Sequence, residues 1–218
     1  MLNTLSEQQV RIPAGGVTLE GNLVVPPAAR TAVIFAHGSG SSRHSPRNRY
    51  VAGVLQEGGI ATLLFDLLTR DEDTVYENRF NIALLTERLV AATRWLRAQP
   101  QAAGFALGYF GASTGTAAAL FAAADLGDEI DAVVSRGGRP DLAGQTLARV
   151  KAPVLLIVGG DDFQVLELNR KAYGMLKAEK DLAIVPGATH LFEERGALEE
   201  AARRAGEWFK KHLSPAGR

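Results

Sequence analysis

The sequence predicts an α/β fold: one eight-stranded, mostly parallel sheet with helices on both faces. Three observations carry this. From residue 31 onward, six short apolar runs alternate with longer stretches of helical period. Those runs are continuously apolar rather than alternating, as strands covered on both faces must be. The 218 residues, 46% of them hydrophobic, supply a sizeable core and fit one domain spanning 1–218.

Each element follows from its residues. Gln8–Ile12 and Val17–Val25 read as an antiparallel pair joined near Gly15-Gly16. Buried strands are expected at Thr31–Ala36, Ala61–Phe65, Phe105–Phe110, Asp131–Ser135, Pro153–Val158 and Asp181–Val185. Helices fill the gaps. Pro46–Glu57 is one, and part of Leu142–Val150 another. Phe80–Gln99 carries Leu85, Leu89, Ala92 and Leu96 on one face and is closed by Pro100. Thr114–Leu126 is alanine-rich, with Gly127 placed to end it. Val165–Ala178 follows, then Glu194–Leu213, which turns Leu198, Ala201, Ala205, Trp208 and Phe209 inward. No internal repeat, linker or low-complexity segment interrupts the series.

Composition excludes several functions. Lys+Arg and Asp+Glu both number 24, so the basic excess of a dedicated nucleic-acid binder is absent. With no cysteine, disulfides, zinc–thiolate sites, iron–sulfur clusters and thiol nucleophiles are impossible. Met1–Glu7 lacks a basic stretch followed by an apolar core, and nowhere do 18 apolar residues run uninterrupted. The expectation is a soluble cytoplasmic protein that spans no membrane.

Gly111-Ala112-Ser113-Thr114-Gly115 carries the most chemistry. With 23 glycines in the chain, chance supplies only about 0.09 G-x-S-x-G patterns. This one lies where a buried strand meets a helix. A serine in a sharp strand-to-helix turn, a nucleophile elbow, needs small residues at minus two and plus two because backbone segments crowd there. The bland alternative is a glycine-rich helix start capped by Ser113. The spacing is not G-x-G-x-x-G, so a dinucleotide site is not indicated.

A serine nucleophile needs a base, and the base an orienting carboxylate. Of the four histidines, His190 follows the last strand, at the sheet edge where the base belongs; His37 and His44 lie in another loop, and His212 near the terminus. The acid should follow the preceding strand, where Gly159-Gly160-Asp161-Asp162 offers two carboxylates. The loop His37-Gly38-Ser39-Gly40 follows the first long strand. It suits an oxyanion hole, with the Ser39 N–H (Gly38 as the alternative) joined by the N–H of Thr114.

These motifs resemble the α/β-hydrolase superfamily, most closely its small cap-less dienelactone-hydrolase-like members, over nearly the whole chain. The carriers are HGSG at His37–Gly40, GASTG at Gly111–Gly115, LLIVGGDD at Leu155–Asp162 and GATH at Gly187–His190. The resemblance implies an acid at the end of G-x-x-D, hence Asp162 rather than Asp161. Dienelactone hydrolase itself uses a cysteine nucleophile; here the position holds Ser113. The stretch from Arg136 to Ala152 is too short for a cap domain, so an open pocket is expected.

Arginines recur after strands: Arg43, Arg47, Arg70, Arg136 and Arg139. Arg43, Arg47 and Arg136 are candidates for binding a substrate carboxylate or phosphate. The alternative is that they tie down loops by pairing with Asp66, Asp71, Glu72 or Asp141. The reading as a whole is a serine hydrolase of a small carboxylic ester or lactone, working through an acyl-enzyme, with no metal or organic cofactor implied. An acyltransferase or peptidase using the same triad, or a non-catalytic binding protein that kept the fold, are the rivals.

Overall fold

The computed structural model describes residues 6–213. The stretch Met1–Leu5, read above for a leader, lies outside them. Strands β1 (Glu7–Ala14) and β2 (Val17–Val24) form the antiparallel hairpin, turning at Gly15 and Gly16, both at positive φ. Then come β3 (Thr31–Ala36), helix α1 (Pro46–Glu57), β4 (Ala61–Phe65), a single turn α2 (Arg70–Asp73) and α3 (Ile82–Arg97). The second half holds β5 (Ala106–Ala112), α4 (Thr114–Leu126), β6 (Ala132–Arg136), β7 (Val154–Gly159), α5 (Phe163–Met175), β8 (Lys180–Val185) and α6 (Ala197–His212).

The eight strands pair in the order β1-β2-β4-β3-β5-β6-β7-β8. β2 meets β4 antiparallel, and every pair from β4 to β8 is parallel. After β3 the chain steps to one side to make β4 and then to the other to make β5. That reversal opens a crevice at the carboxyl ends of β3 and β5, the place where open α/β sheets bind ligands.

Alternation within each strand divides the apolar residues between two cores. Ile34, Leu63, Leu107, Tyr109, Val133 and Leu156 point into the first, with Leu89 of α3, Ala118 of α4 and Ala172 of α5. Val33, Phe35, Leu64, Phe110, Val134 and Ile157 point into the second, with Leu55 of α1 and Phe209 of α6. Both faces of β3 to β7 are therefore dry, which is why those runs read as unbroken. β8, the edge strand, departs from the expectation, with Asp181 and Ile184 exposed and only Ala183 and Val185 buried.

Three further departures from expectation have local causes. The segment Pro140–Arg149 is 3-10 turns rather than α-helix, broken at Gly144 with φ +50°. The last helix begins at Ala197 instead of Glu194, because Gly196 sits left-handed at its start. Residues 66–79, for which the sequence suggested no element, hold α2 and most of a 3-10 turn at Tyr76–Phe80, so the helix expected from Phe80 begins at Ile82. There Thr69 and Glu72 form a capping box, a short signal without an apolar stripe to announce it. Among the described residues no helix is long and apolar enough to cross a membrane.

Candidate active site

Ser113 stands between the last residue of β5 and the first of α4, with φ +49° and ψ −124°. A non-glycine residue held there costs on the order of 1–3 kcal/mol, so its surroundings must impose the turn. They do so by close approach. A Cβ on Gly111 would fall 2.6 Å from Thr116 Cα, and one on Gly115 only 2.1 Å from the Ala36 carbonyl oxygen. Glycine at minus two and plus two is thus a steric requirement. Gly115→Ala is expected to cost about 3 kcal/mol of stability, since the overlapping partner is backbone. Gly53→Ala in α1, whose Cβ meets nothing within 4 Å, is expected to be neutral or stabilising by about 0.5–1 kcal/mol. Urea denaturation of the pair checks this; a parent-like midpoint for Gly115→Ala would contradict the packing argument.

A brace that sequence reasoning missed holds the elbow from the β6 side. The Arg139 N–H donates to the Ser113 carbonyl at 3.0 Å, and Thr116 N–H donates to it at 3.1 Å. Asn169 of α5 donates to the Gly138 carbonyl at 3.0 Å, fixing the loop that carries Arg139. Gly138 has no room for a side chain, since its Cβ would lie 2.0 Å from Ser135 Oγ. The G-G pair after the β6 strand was the available signal.

His190 Nδ1 lies 2.7 Å from Asp162 Oδ2. The carboxylate is mostly buried and the imidazole 40% exposed. Because a carboxylate only accepts, Nδ1 carries the proton and Nε2 keeps its lone pair. The two loops are stitched together: Asp161 N–H donates to Ala188 O at 3.0 Å, and Gly160 N–H to Val185 O at 2.8 Å. Asp161 itself is exposed and contributes this backbone bond. Ser113 and His190 line one cleft of about 240 Å³, with Gly38, Arg47, Arg136 and Leu191. No hydrogen bond joins Ser113 Oγ to His190 in this structure; such bonds commonly close only around substrate.

The HGSG loop is placed beside the serine, since a Cβ on Gly38 would come within 2.9 Å of Ser113 Cβ. His37 is a structural pin. Its Nε2 accepts from Leu67 N–H at 3.0 Å and its Nδ1 donates to Gly38 O at 2.9 Å. Burial pushes its pKa below the ordinary value, which keeps the ring neutral and that pattern intact. The two expected oxyanion donors differ in what they touch. The Ser39 N–H donates to Thr114 Oγ1 at 2.9 Å, so it is committed unless the Thr114 side chain turns. The Thr114 N–H opens α4, where helix geometry leaves it without an intrahelical acceptor.

The arginines separate. Arg43 is corrected as a substrate-binding candidate: its guanidinium pairs with Asp66 and with Glu20 (2.7 Å) and donates to Asn22 at 3.1 Å. Asp66 also accepts the Arg43 N–H, so the two residues anchor the loop, which lines a neighbouring groove. Arg139 forms a fork with Asp141, both bonds 2.8 Å. Arg47 lines the cleft while one nitrogen reaches Glu193 at 3.0 Å. Arg136 also lines the cleft and is only 7% exposed. Among the described residues no three His, Asp or Glu side chains converge as metal ligands would.

The sequence model of the dienelactone hydrolase family matches residues 19–214. A crystal structure of dienelactone hydrolase from Anabaena variabilis is 54% identical, with a TM-score of 0.94 over 97% of this chain and 100% of that one. A Pyrococcus furiosus esterase shares the fold at 20% identity, with a TM-score of 0.77 over 97% of this chain and 93% of its own. Two curated relatives, from the H37Rv and CDC 1551 strains of Mycobacterium tuberculosis, carry a provisional phosphoribosyl transferase name. Each is 56% identical over 213 residues, 98% of this chain and 48% of its own, so the chain spans about half their length.

Proposed function

The chain belongs to the dienelactone hydrolase family, and from that premise we propose that it is a serine hydrolase of small carboxylic esters or lactones. The observation that carries the proposal is the Asp162–His190 bond of 2.7 Å beside a serine strained at φ +49° in the same cleft. Ser113 Oγ attacks the carbonyl carbon while His190 Nε2 takes its proton. The tetrahedral intermediate collapses, the ester C–O bond breaks, and His190 returns the proton to the departing oxygen. Water then attacks the acyl-serine with His190 again as base, releasing the acid and the free serine. Asp162 fixes the imidazole tautomer, and Thr114 N–H faces the developing oxyanion, joined by Ser39 N–H once the Thr114 side chain turns.

The phosphoribosyl transferase name of the mycobacterial relatives belongs to proteins about twice this chain's length, and we do not carry it over to this chain. A Ser–His–Asp arrangement attacks acyl carbon, and ribosyl transfer asks for no such nucleophile. The direct test is covalent labelling with a fluorophosphonate followed by peptide mass spectrometry. A single adduct on Ser113, strongly slowed by His190→Ala, is expected. Labelling elsewhere, or none, sinks the nucleophile assignment.

A further inference from the structure

One cation in the cleft has nothing to do in the reaction just described. Arg136 ends β6, in register with Ala112, the residue immediately before Ser113. Its neighbour Ser135 faces the opposite side, toward Thr116 of α4. The Arg136 side chain instead lies between α1 and the loop before α6, with its guanidinium 5.8 Å from the Phe192 ring centre. It is 7% exposed, yet its Nε and Nη1 have no hydrogen-bond partner. Among the described residues its one hydrogen bond is a long one, 3.4 Å from Nη2 to Asn48 Oδ1. Among the described residues no carboxylate forms an ion pair with it. Burial and the nearby Arg47 charge both favour loss of its proton, lowering its pKa to about 10. A guanidinium so placed remains charged at neutral pH and lacks a counterion.

The donors around it converge from several directions. Arg47 stands in the first turn of the twelve-residue α1, which carries no acidic residue there. Ser45 caps that helix, accepting from Asn48 N–H at 3.3 Å, so its own hydroxyl proton remains to be given. Ser41 lines the same wall. Two guanidiniums and two hydroxyls, at the positive end of the α1 dipole, suit a tetrahedral dianion, whose oxygens point apart, better than a planar carboxylate. We propose that this end of the cleft binds a phosphate monoester group carried by the ester substrate, with Arg136 as its buried counterion and Arg47 as its outer clamp. The proposal rests on the hydrolase reading for the identity of the substrate, but the anion site itself does not depend on it.

The site would position the scissile carbonyl as well as add affinity, since Arg136 is joined through the sheet to the residue before the serine. The test uses three acetyl esters of similar size: 2-acetoxyethyl phosphate, 3-acetoxypropanoate and neutral 2-methoxyethyl acetate. The phosphorylated ester is expected to exceed the neutral one in kcat/KM by about tenfold or more. That ratio should fall by about tenfold in Arg136→Gln and by less in Arg47→Gln. A ratio near one in the parent, or one unchanged in both variants, overturns the proposal, as does a preference for the carboxylate ester over the phosphate. If Arg136→Gln fails to fold, the half-exposed Arg47→Gln carries the comparison. Inorganic phosphate gives a readout without catalysis: it should raise the melting temperature of the parent saturably, and less in either variant. An arginine-dependent shift without any ester turnover would uphold the anion site and bring down the hydrolase reading instead. No shift with parent or variants would overturn the anion site alone.

Discussion

Ser113→Ala is expected to lower kcat/KM for small esters by about 10³-fold or more, because only binding and the oxyanion donors would remain. The fold should survive. What holds the elbow is backbone: the Ser113 carbonyl accepts from Arg139 and Thr116, and neither bond involves the hydroxyl. Glycines 111 and 115 keep their close approaches whatever the side chain at 113. Ser113→Gly makes the argument sharper. It should be as inactive as alanine yet relieve the φ of +49°, offsetting glycine's greater chain entropy, so its stability should match or exceed that of the alanine variant. Steady-state kinetics and thermal melts on the two proteins check both halves. Residual turnover near the parent level would remove Ser113 from the mechanism, and an alanine variant that unfolds would mean the hydroxyl has a structural role.

What could be read from the chain was whatever local pattern controls. Strands β3 to β7 announced themselves because Val33/Ile34 and Val133/Val134 each send neighbours into different cores, so the runs are buried throughout and mostly apolar. β8 at the sheet edge is half exposed and was legible only from residues 182–185. The glycines around Ser113 were legible for the same reason: a 2.1 Å approach tolerates one residue type, and the sequence records it. Boundaries were less clear. β5 runs on through Gly111 and Ala112, which are too small to look like strand residues but pair with Ser135 and Arg136 across the sheet.

The remainder depended on partners far along the chain. Pairing with Asp66 was one of two readings open for Arg43, but nothing near it foretells that Glu20 and Asn22 will take its remaining donors, whereas Arg136 enters the interior with its Nε and Nη1 unpartnered. Both are arginines after a strand, and only the fold separates them. The capture of Ser39 N–H by Thr114 Oγ1 links positions 75 residues apart, and the Arg139 brace on Ser113 also joins separate loops, though closer in the chain. His37 precedes Gly38 in a motif that suggests chemistry, yet two backbone bonds make it a pin for the loop.

The adjacent acids offer the other large effect. Asp162→Asn is expected to lower kcat by about 10⁴-fold, while Asp161→Asn should change it by less than about twofold. The difference lies in what an amide does to the imidazole. Asp162 Oδ2 accepts from His190 Nδ1 at 2.7 Å, which leaves Nε2 as the base. An asparagine that turns its NH₂ to the ring makes Nδ1 the acceptor and moves the proton to Nε2, where it blocks abstraction from the serine. Even with the oxygen turned inward, a neutral amide stabilises the imidazolium far less than a carboxylate. Asp161 is exposed, and its N–H bond to Ala188 O survives the substitution, so the histidine loop should stay in place. Because Asp162 is at the start of α5 without a side-chain cap bond there, its loss should leave that helix unaffected. Parent-like melting temperatures for both variants, with turnover lost only in Asp162→Asn, would make the carboxylate a positioning group for His190. Equal losses would place the acid elsewhere on the sheet edge, and the reverse order would shift it by one residue.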